Sequence, residues 1–255
     1  MTRVGQVFTN FQKEELEIIE YFNNRNCTVK FSSGHIRKNV QYDKILLGNV
    51  KNPYFPSVYG KGYIGEGNYL ASGKKYEIWQ KMLERCFCEN ITVKEKTPTY
   101  HDCIVSEDFI NFQNFANWYA KETTRILSKL KNFEQLPILC VDKDLLITDN
   151  KIYSEETCLL IPFEINNIFC TLKKTDNLPN GVSYQSSRNS FKKYCANVNW
   201  YVKNISKYFE FATEAEDYYI YHKELFVHQQ AEKFKHILDE RLYLKLSTYK
   251  IKKLL

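Results

Sequence analysis

The sequence predicts an α+β protein built in three parts. These are a small N-terminal β module, a central ββα module with aromatic-rich helices, and a C-terminal three-stranded sheet packed on a helix. Short β-patterned runs separated by polar turns occupy residues 4–50. In the middle of the chain, aromatic and aliphatic residues recur at helical spacing beside a strand–turn–strand pattern. From Gly181 onward, short strands precede one long helix with an acidic first turn. The boundaries fall at residues 1–50, 51–172 and 178–255.

A chain of 255 residues is long for one ordinary domain, and 44% hydrophobic content builds a core without disulfides. Eight cysteines (27, 86, 88, 103, 140, 158, 170 and 195) lie mostly inside apolar runs, with no Cys-x-x-Cys pair. With no secretory leader and no long apolar span, they read as reduced core thiols of a cytoplasmic protein without a membrane anchor. The formal charge of +6 accompanies 19 Tyr, 17 Phe and only 9 Gly, a composition typical of AT-rich coding sequence. Where the cations fall is therefore more informative than their number.

In the first part, Glu17–Phe22 and Thr28–Phe31 read as strands around the turn Asn23–Asn26. Ser32-Ser33-Gly34 makes the next turn, and Ile36–Val40 and Ile45–Leu47 continue as strands of a small curled sheet. His35, just after the glycine turn, is expected to be exposed. Residues 51–75 hold five of the nine glycines (Gly60, Gly62, Gly65, Gly67 and Gly73) together with Pro53 and Pro56. They read as a linker. Gly60-x-Gly62-x-x-Gly65 spells a dinucleotide fingerprint, but no buried strand precedes it and no helix follows at once, so nucleotide binding is not expected.

Residues 76–89 place Trp79, Met82, Leu83, Cys86 and Phe87 on one helical face. Cys103–Val105 reads as a short strand. Ser106 is placed to cap a helix carrying Phe109, Phe112, Phe115, Trp118 and Tyr119. In Leu139–Phe169, an apolar run containing Asp142 and Asp144 is followed by the polar turn Thr148–Lys151. A second polar break at Ser154–Thr157 leads to the apolar run Cys158–Ile161. Pro162-Phe163-Glu164 then opens a helix bearing Asn166 and Asn167.

The order DKD…NKIYSEETC…P..IN, with Trp79–Cys86 (WQKMLERC), residues 98–105 (PTYHDCIV) and Phe109–Tyr119 (FINFQNFANWY), resembles a phage and mobile-element family related to HNH homing endonucleases. The resemblance runs from about residue 51 through 169. It implies an HNH-like central module and a metal-dependent DNA endonuclease, a hydrolase using Mg or Mn. Asp142 or Asp144 with Asn166 would supply the metal's oxygen ligands. The general base is the open question. The five histidines are 35, 101, 222, 228 and 236, none of them inside the motif. Lys143 stands where a base is expected, but an exposed lysine is protonated at neutral pH. His101, beside Asp102, becomes the catalytic candidate if the Cys103 strand packs on the motif. Without it, the nuclease skeleton is a binding scaffold. His222, His228 and His236 read as solvated.

The pattern Gly181-Val182, strands at Phe191–Val198 and Trp200–Ile205, an extended Lys207–Phe211, then a helix capped by Thr213 resembles the plant Apetala-type (ethylene-response-factor) DNA-binding domain. That resemblance implies a double-stranded-DNA reader with contacts from Arg188, Lys192, Lys193, Trp200, Lys203 and Lys207. The tail from His236 reads as a short helix with a lysine-rich end. The leading expectation is a DNA-binding, homing-endonuclease-like phage protein, with cleavage open. The rival is a non-catalytic protein that binds a host protein, or a DNA-binding regulator.

Overall fold

Along Glu15–Asn23 the apolar Leu16 and Ile18 are buried while Glu15 and Glu17 face water, an alternation that only an extended strand produces. A computed structural model describes residues 3–96, 100, 102–130, 135–169, 178–199 and 204–253. The chain divides into two compact units, Met1–Tyr119 with Lys151–Ser154, and Ala120–Asn150 with Glu155–Leu255.

The first unit begins with the antiparallel meander β1 (Val7–Thr9), β2 (Glu15–Asn23), β3 (Asn26–Phe31) and β4 (Ile36–Val40). Leu16, Ile18, Cys27, Val29, Phe31, Val40, Ile45 and Val50 form its core. Ile45–Leu47, expected as a strand, instead belongs largely to a short helix, α1 (Tyr42–Leu46), closed by Gly48 at φ +67. A three-residue apolar run specifies burial of Ile45 but not the period. His35 is half-buried rather than exposed. Its ring stacks on Phe31 at 5.8 Å and meets Tyr54 at 4.9 Å, and Glu66 lies 3.6 Å from Nε2.

Residues 51–72 are not a free linker. The buried Asn52 donates through Nδ2 to both oxygens of Glu14 (3.1 and 3.0 Å) and to Ser33 Oγ (2.9 Å), so the segment starts fastened to the sheet. Further along, Gln113 clamps Tyr69, accepting from its N–H (2.9 Å) and donating to its carbonyl (2.8 Å). At Gly62 the Leu83 and Trp79 side chains stand where a Cβ would go. The glycine pattern thus serves close packing, not a phosphate loop.

The helices α2 (Gly73–Phe87), α3 (Ile91–Lys96), α4 (Glu107–Ile110) and α5 (Phe112–Leu127) follow, with β5 (Ile104–Val105) between α3 and α4. Ser106 caps α4 as its spacing predicts, accepting from Phe109 N. The aromatic stripe is core. Trp79, Phe109, Phe112 and Phe115 are all fully buried, and Trp79 Nε1 donates to Phe109 O at 2.7 Å. Within this unit β5 pairs in parallel with Ile152–Tyr153.

In the second unit the first strand is β6 (Leu139–Asp142). The chain then visits the first unit as β7 (Ile152–Tyr153) and returns as β8 (Leu159–Pro162), antiparallel to β6. Strand β6 ends at Asp142, earlier than the apolar run to Ile147 suggests, because the chain bends at 143–147. Pro162, with its fixed φ and no N–H, precedes α6 (Phe163–Ile168), which packs on β6 and β8. The expected strand–turn–strand–helix order is thus present as a ββα unit.

Past residue 177, β9 (Val182–Tyr184), β10 (Tyr194–Asn199) and β11 (Asn204–Phe209) form an antiparallel sheet in the order β11-β10-β9. Its third strand is 204–209, where the sequence suggested two separate extended segments; residues 200–203 lie outside the described residues. Helix α7 (Ala212–Phe234) covers one face of this sheet and also meets α6 and α8 (Glu240–Ser247). Gly181, at φ +75, lies against the Tyr219 ring of α7, which fills the space a Cβ would need. Helix α7 begins one residue before Thr213. Glu214, rather than the threonine, closes its N-terminus by accepting from Phe211 N at 3.3 Å.

Candidate functional site

Two places carry the residues singled out by sequence: the bend after β6, and the sheet β9–β11. At the bend, Asp142 Oδ1 accepts from Asp144 N (3.1 Å) and Leu145 N (2.7 Å). This is the local turn that aspartate makes with its own backbone. Burial pushes the Asp142 carboxyl above its ordinary range, against the lowering effect of the Leu145 N–H. Lys143 is not exposed as expected. Only 5% of it is accessible, and its ammonium donates to Asp144 Oδ2 (2.7 Å) and Asn150 O (2.9 Å). Asn150 Nδ2 returns a bond to Lys143 O at 2.7 Å, and Lys245 of α8 reaches Leu146 O and Thr148 Oγ1. Asn166 sits half-buried on α6.

A divalent ion held by Asp142, Asp144 and Asn166 would need carboxylate oxygens directed at an open position. Here one oxygen of Asp142 serves the backbone, and the cation against Asp144 is already the Lys143 ammonium. A second cation beside that buried ammonium would be repelled. As they stand, these side chains do not fit a hard-metal site. Among the described residues, no group of three or more His, Cys, Asp or Glu side chains comes together as a metal site. His101 lies outside the described residues. His222 and His228 are half-buried rather than solvated: His222 packs on Tyr218 at 4.2 Å, and a ring nitrogen of His228 is 3.0 Å from Tyr249 O. No disulfide joins any two of the seven described cysteines.

The sheet has two different faces, and register assigns residues to them. Directly paired residues of antiparallel strands point the same way. Ala196 and Val198, both fully buried, share a face with Ile205, Lys207 and Phe209, and that face meets α7. The other face carries Ser183, Cys195, Asn197, Ser206 and Tyr208. Asn197 spans it, donating through Nδ2 to Ser183 Oγ (3.1 Å) and accepting from Ser206 Oγ (2.8 Å). The Arg188 guanidinium lies over the Tyr208 ring at 3.8 Å.

No family model, curated protein or solved structure matches this chain.

Of the six expected DNA contacts, Arg188 lies on the face away from α7. Lys192 and Lys193 close the loop between β9 and β10, and alternation places Lys193 on that same face. Lys207 lies on the helix side, its ammonium 5.0 Å from the Tyr218 ring and 5.5 Å from the Phe209 ring. Trp200 and Lys203 lie outside the described residues. A list of cations in sequence missed one signal. From Asn177 through Phe209 there is no Asp or Glu, although the chain carries 30 acidic residues in all. The carboxylates resume after β11 with Glu210 and, at the start of α7, Glu214, Glu216 and Asp217. The module is thus polarised, cationic on the sheet and its loop and anionic along the start of α7.

Proposed function

We propose that this chain binds double-stranded DNA through the face of the β9–β11 sheet opposite α7. The observation that carries this reading is the carboxylate-free run 177–209, whose cations Arg188, Lys192 and Lys193 lie at that face or its loop. Duplex phosphates attract such a surface without regard to sequence, and the polar edge of a sheet can then meet base edges in the major groove. Arg188, with its guanidinium 3.8 Å over the Tyr208 ring, is the group suited to a guanine edge, because stacking limits the orientations its fork of donors can take. Asn197 is committed to Ser183 and Ser206, so it stiffens the face rather than reads bases. The ββα unit is a scaffold in this reading. Its carboxylates stabilise the bend after β6.

The test is a titration of a labelled duplex with the full chain at several salt concentrations. Log affinity should fall linearly with log salt; Lys192→Ala and Lys193→Ala should each reduce the slope by about one, while Arg188→Ala should cost about 1–3 kcal/mol and relax the preference for guanine. Lys207→Ala should leave the slope nearly unchanged. A chain that fails to shift any duplex at low salt ends the proposal, and affinity confined to a protein partner favours the rival class.

A further inference from the structure

We infer that Phe191 is a wedge that inserts at a base step of the bound duplex and unstacks it, an inference that rests on the DNA-binding reading above. Phe191 leaves 71% of its surface in water. Covering such a ring removes apolar surface from water, so a partner that takes it up gains affinity. Other phenylalanines are equally exposed, notably Phe11 and Phe22, but Phe11 precedes and Phe22 lies within a strand bearing Glu15, Glu17 and Glu20. Phe191 is set apart by its surroundings. It stands between Ser190 and Lys192 in a loop whose only charges are Arg188, Lys192 and Lys193.

The loop is also built, not slack. Gln185 N donates to Lys193 O (2.9 Å) and closes its base. Ser190 N donates to Arg188 O (2.9 Å), and Lys192 N donates to Ser190 Oγ (3.2 Å). The Lys192 ammonium lies 6.0 Å from the Phe191 ring, and the Arg188 guanidinium is fixed on Tyr208. An apolar ring on a rigid cationic loop meets two requirements of a wedge. The cations neutralise the phosphates flanking the opened step, and the ring replaces the lost base stacking. A hydrophobic protein partner would favour neutral or acidic surroundings no less, whereas phosphates favour cations alone. Pyrimidine–purine steps unstack most easily, so the preferred site should contain one opposite the loop.

The experiment uses the full chain and duplexes about three helical turns long, selected by it from a random pool. A 2-aminopurine placed in turn at each step of the selected site reports unstacking by increased fluorescence, and end-to-end energy transfer reports bending. The native chain should brighten one step and bend the duplex. Phe191→Ala should abolish both signals, weaken binding about tenfold and leave the salt slope unchanged, since no charge is removed. Phe191→Leu should retain part of the bend. Melting temperatures of both variants should match the native chain, because the ring is exposed. Salt-dependent binding without unstacking, or unstacking that survives Phe191→Ala, overturns the wedge and leaves the DNA reading intact. Failure to select any duplex overturns both.

Discussion

Replacing Asp142 separates a turn-forming carboxylate from a ligand or catalytic one. In the structure, Oδ1 accepts from two backbone N–H groups, Leu145 at 2.7 Å and Asp144 at 3.1 Å. Asp142→Ala leaves both without that partner. An unsatisfied buried donor costs about 1–3 kcal/mol, but Asp144 is half-exposed and its N–H can turn to water. A total near 2 kcal/mol follows, most of it at Leu145. Asp142→Asn keeps the acceptor and removes a charge that burial disfavours. It should change stability by less than about 1 kcal/mol, in either direction. The sign with pH is fixed by the raised carboxyl. Native stability falls as pH rises from the ordinary carboxylate range through the raised value, because the folded state holds the proton more tightly. The stability of the Asn variant relative to the native chain should therefore rise from acid to neutral pH. Thermal melts of the three proteins at neutral and acidic pH measure this. If Asn proves as damaging as Ala at neutral pH, the negative charge itself is needed, and the scaffold reading of the bend is wrong.

Glu224 gives the opposite pH behaviour. Burial pushes its carboxyl up, but the hydrogen bonds from Lys250 Nζ (2.6 Å) and Ile251 N (2.9 Å) outweigh it and leave the group below its ordinary range. Its contribution is present above the ordinary carboxylate range and lost as pH falls through the lowered value. Glu224→Gln should thus loosen the C-terminal tail at neutral pH, read as faster proteolysis after Ser247, with no difference in strong acid. Gly181→Ala should destabilise by more than about 1 kcal/mol, since the new Cβ meets both a positive φ and the Tyr219 ring; an unchanged melt counts against that packing. Ser106→Ala should cost about 1 kcal/mol through loss of the α4 cap, measured by denaturant midpoint.

Elements with a long or punctuated pattern were legible in sequence. The 2-residue alternation of Leu16 and Ile18, the cap at Ser106 and the Pro162 start of α6 each act locally, so residue type alone determines them. Elements decided by distant packing were not. Residues 51–72 have the composition of a linker, yet Asn52, Gly62 and Tyr69 are fastened by Glu14, Leu83 and Gln113, residues 21 to 44 positions away. The same holds for His35, whose burial depends on Tyr54. Glycine-rich composition reports backbone freedom in isolation, and says nothing of what packs against the glycine.

The candidate site divides along the same line. That Arg188, Lys192, Lys193 and Lys207 are cations is plain from the chain, but which side of a sheet each occupies depends on register, and a shift of one residue reverses every side chain. The pairing of Ala196 with Lys207 puts that lysine with the buried Val198 on the α7 side, while Cys195 opposite Tyr208 puts the Arg188 platform on the other. Charge-reversal on the two faces makes the difference measurable. Arg188→Glu adds a carboxylate to the run 177–209, which has none, and should weaken DNA binding by more than tenfold at low salt, changing both the slope and the affinity. Lys207→Glu adds one on the α7 side, where the start of the helix already carries Glu214, Glu216 and Asp217, and should weaken binding only modestly through long-range repulsion that added salt screens away. Equal losses for the two variants would mean that the α7 side also lies against DNA, and the assignment of faces by strand register would have to be abandoned.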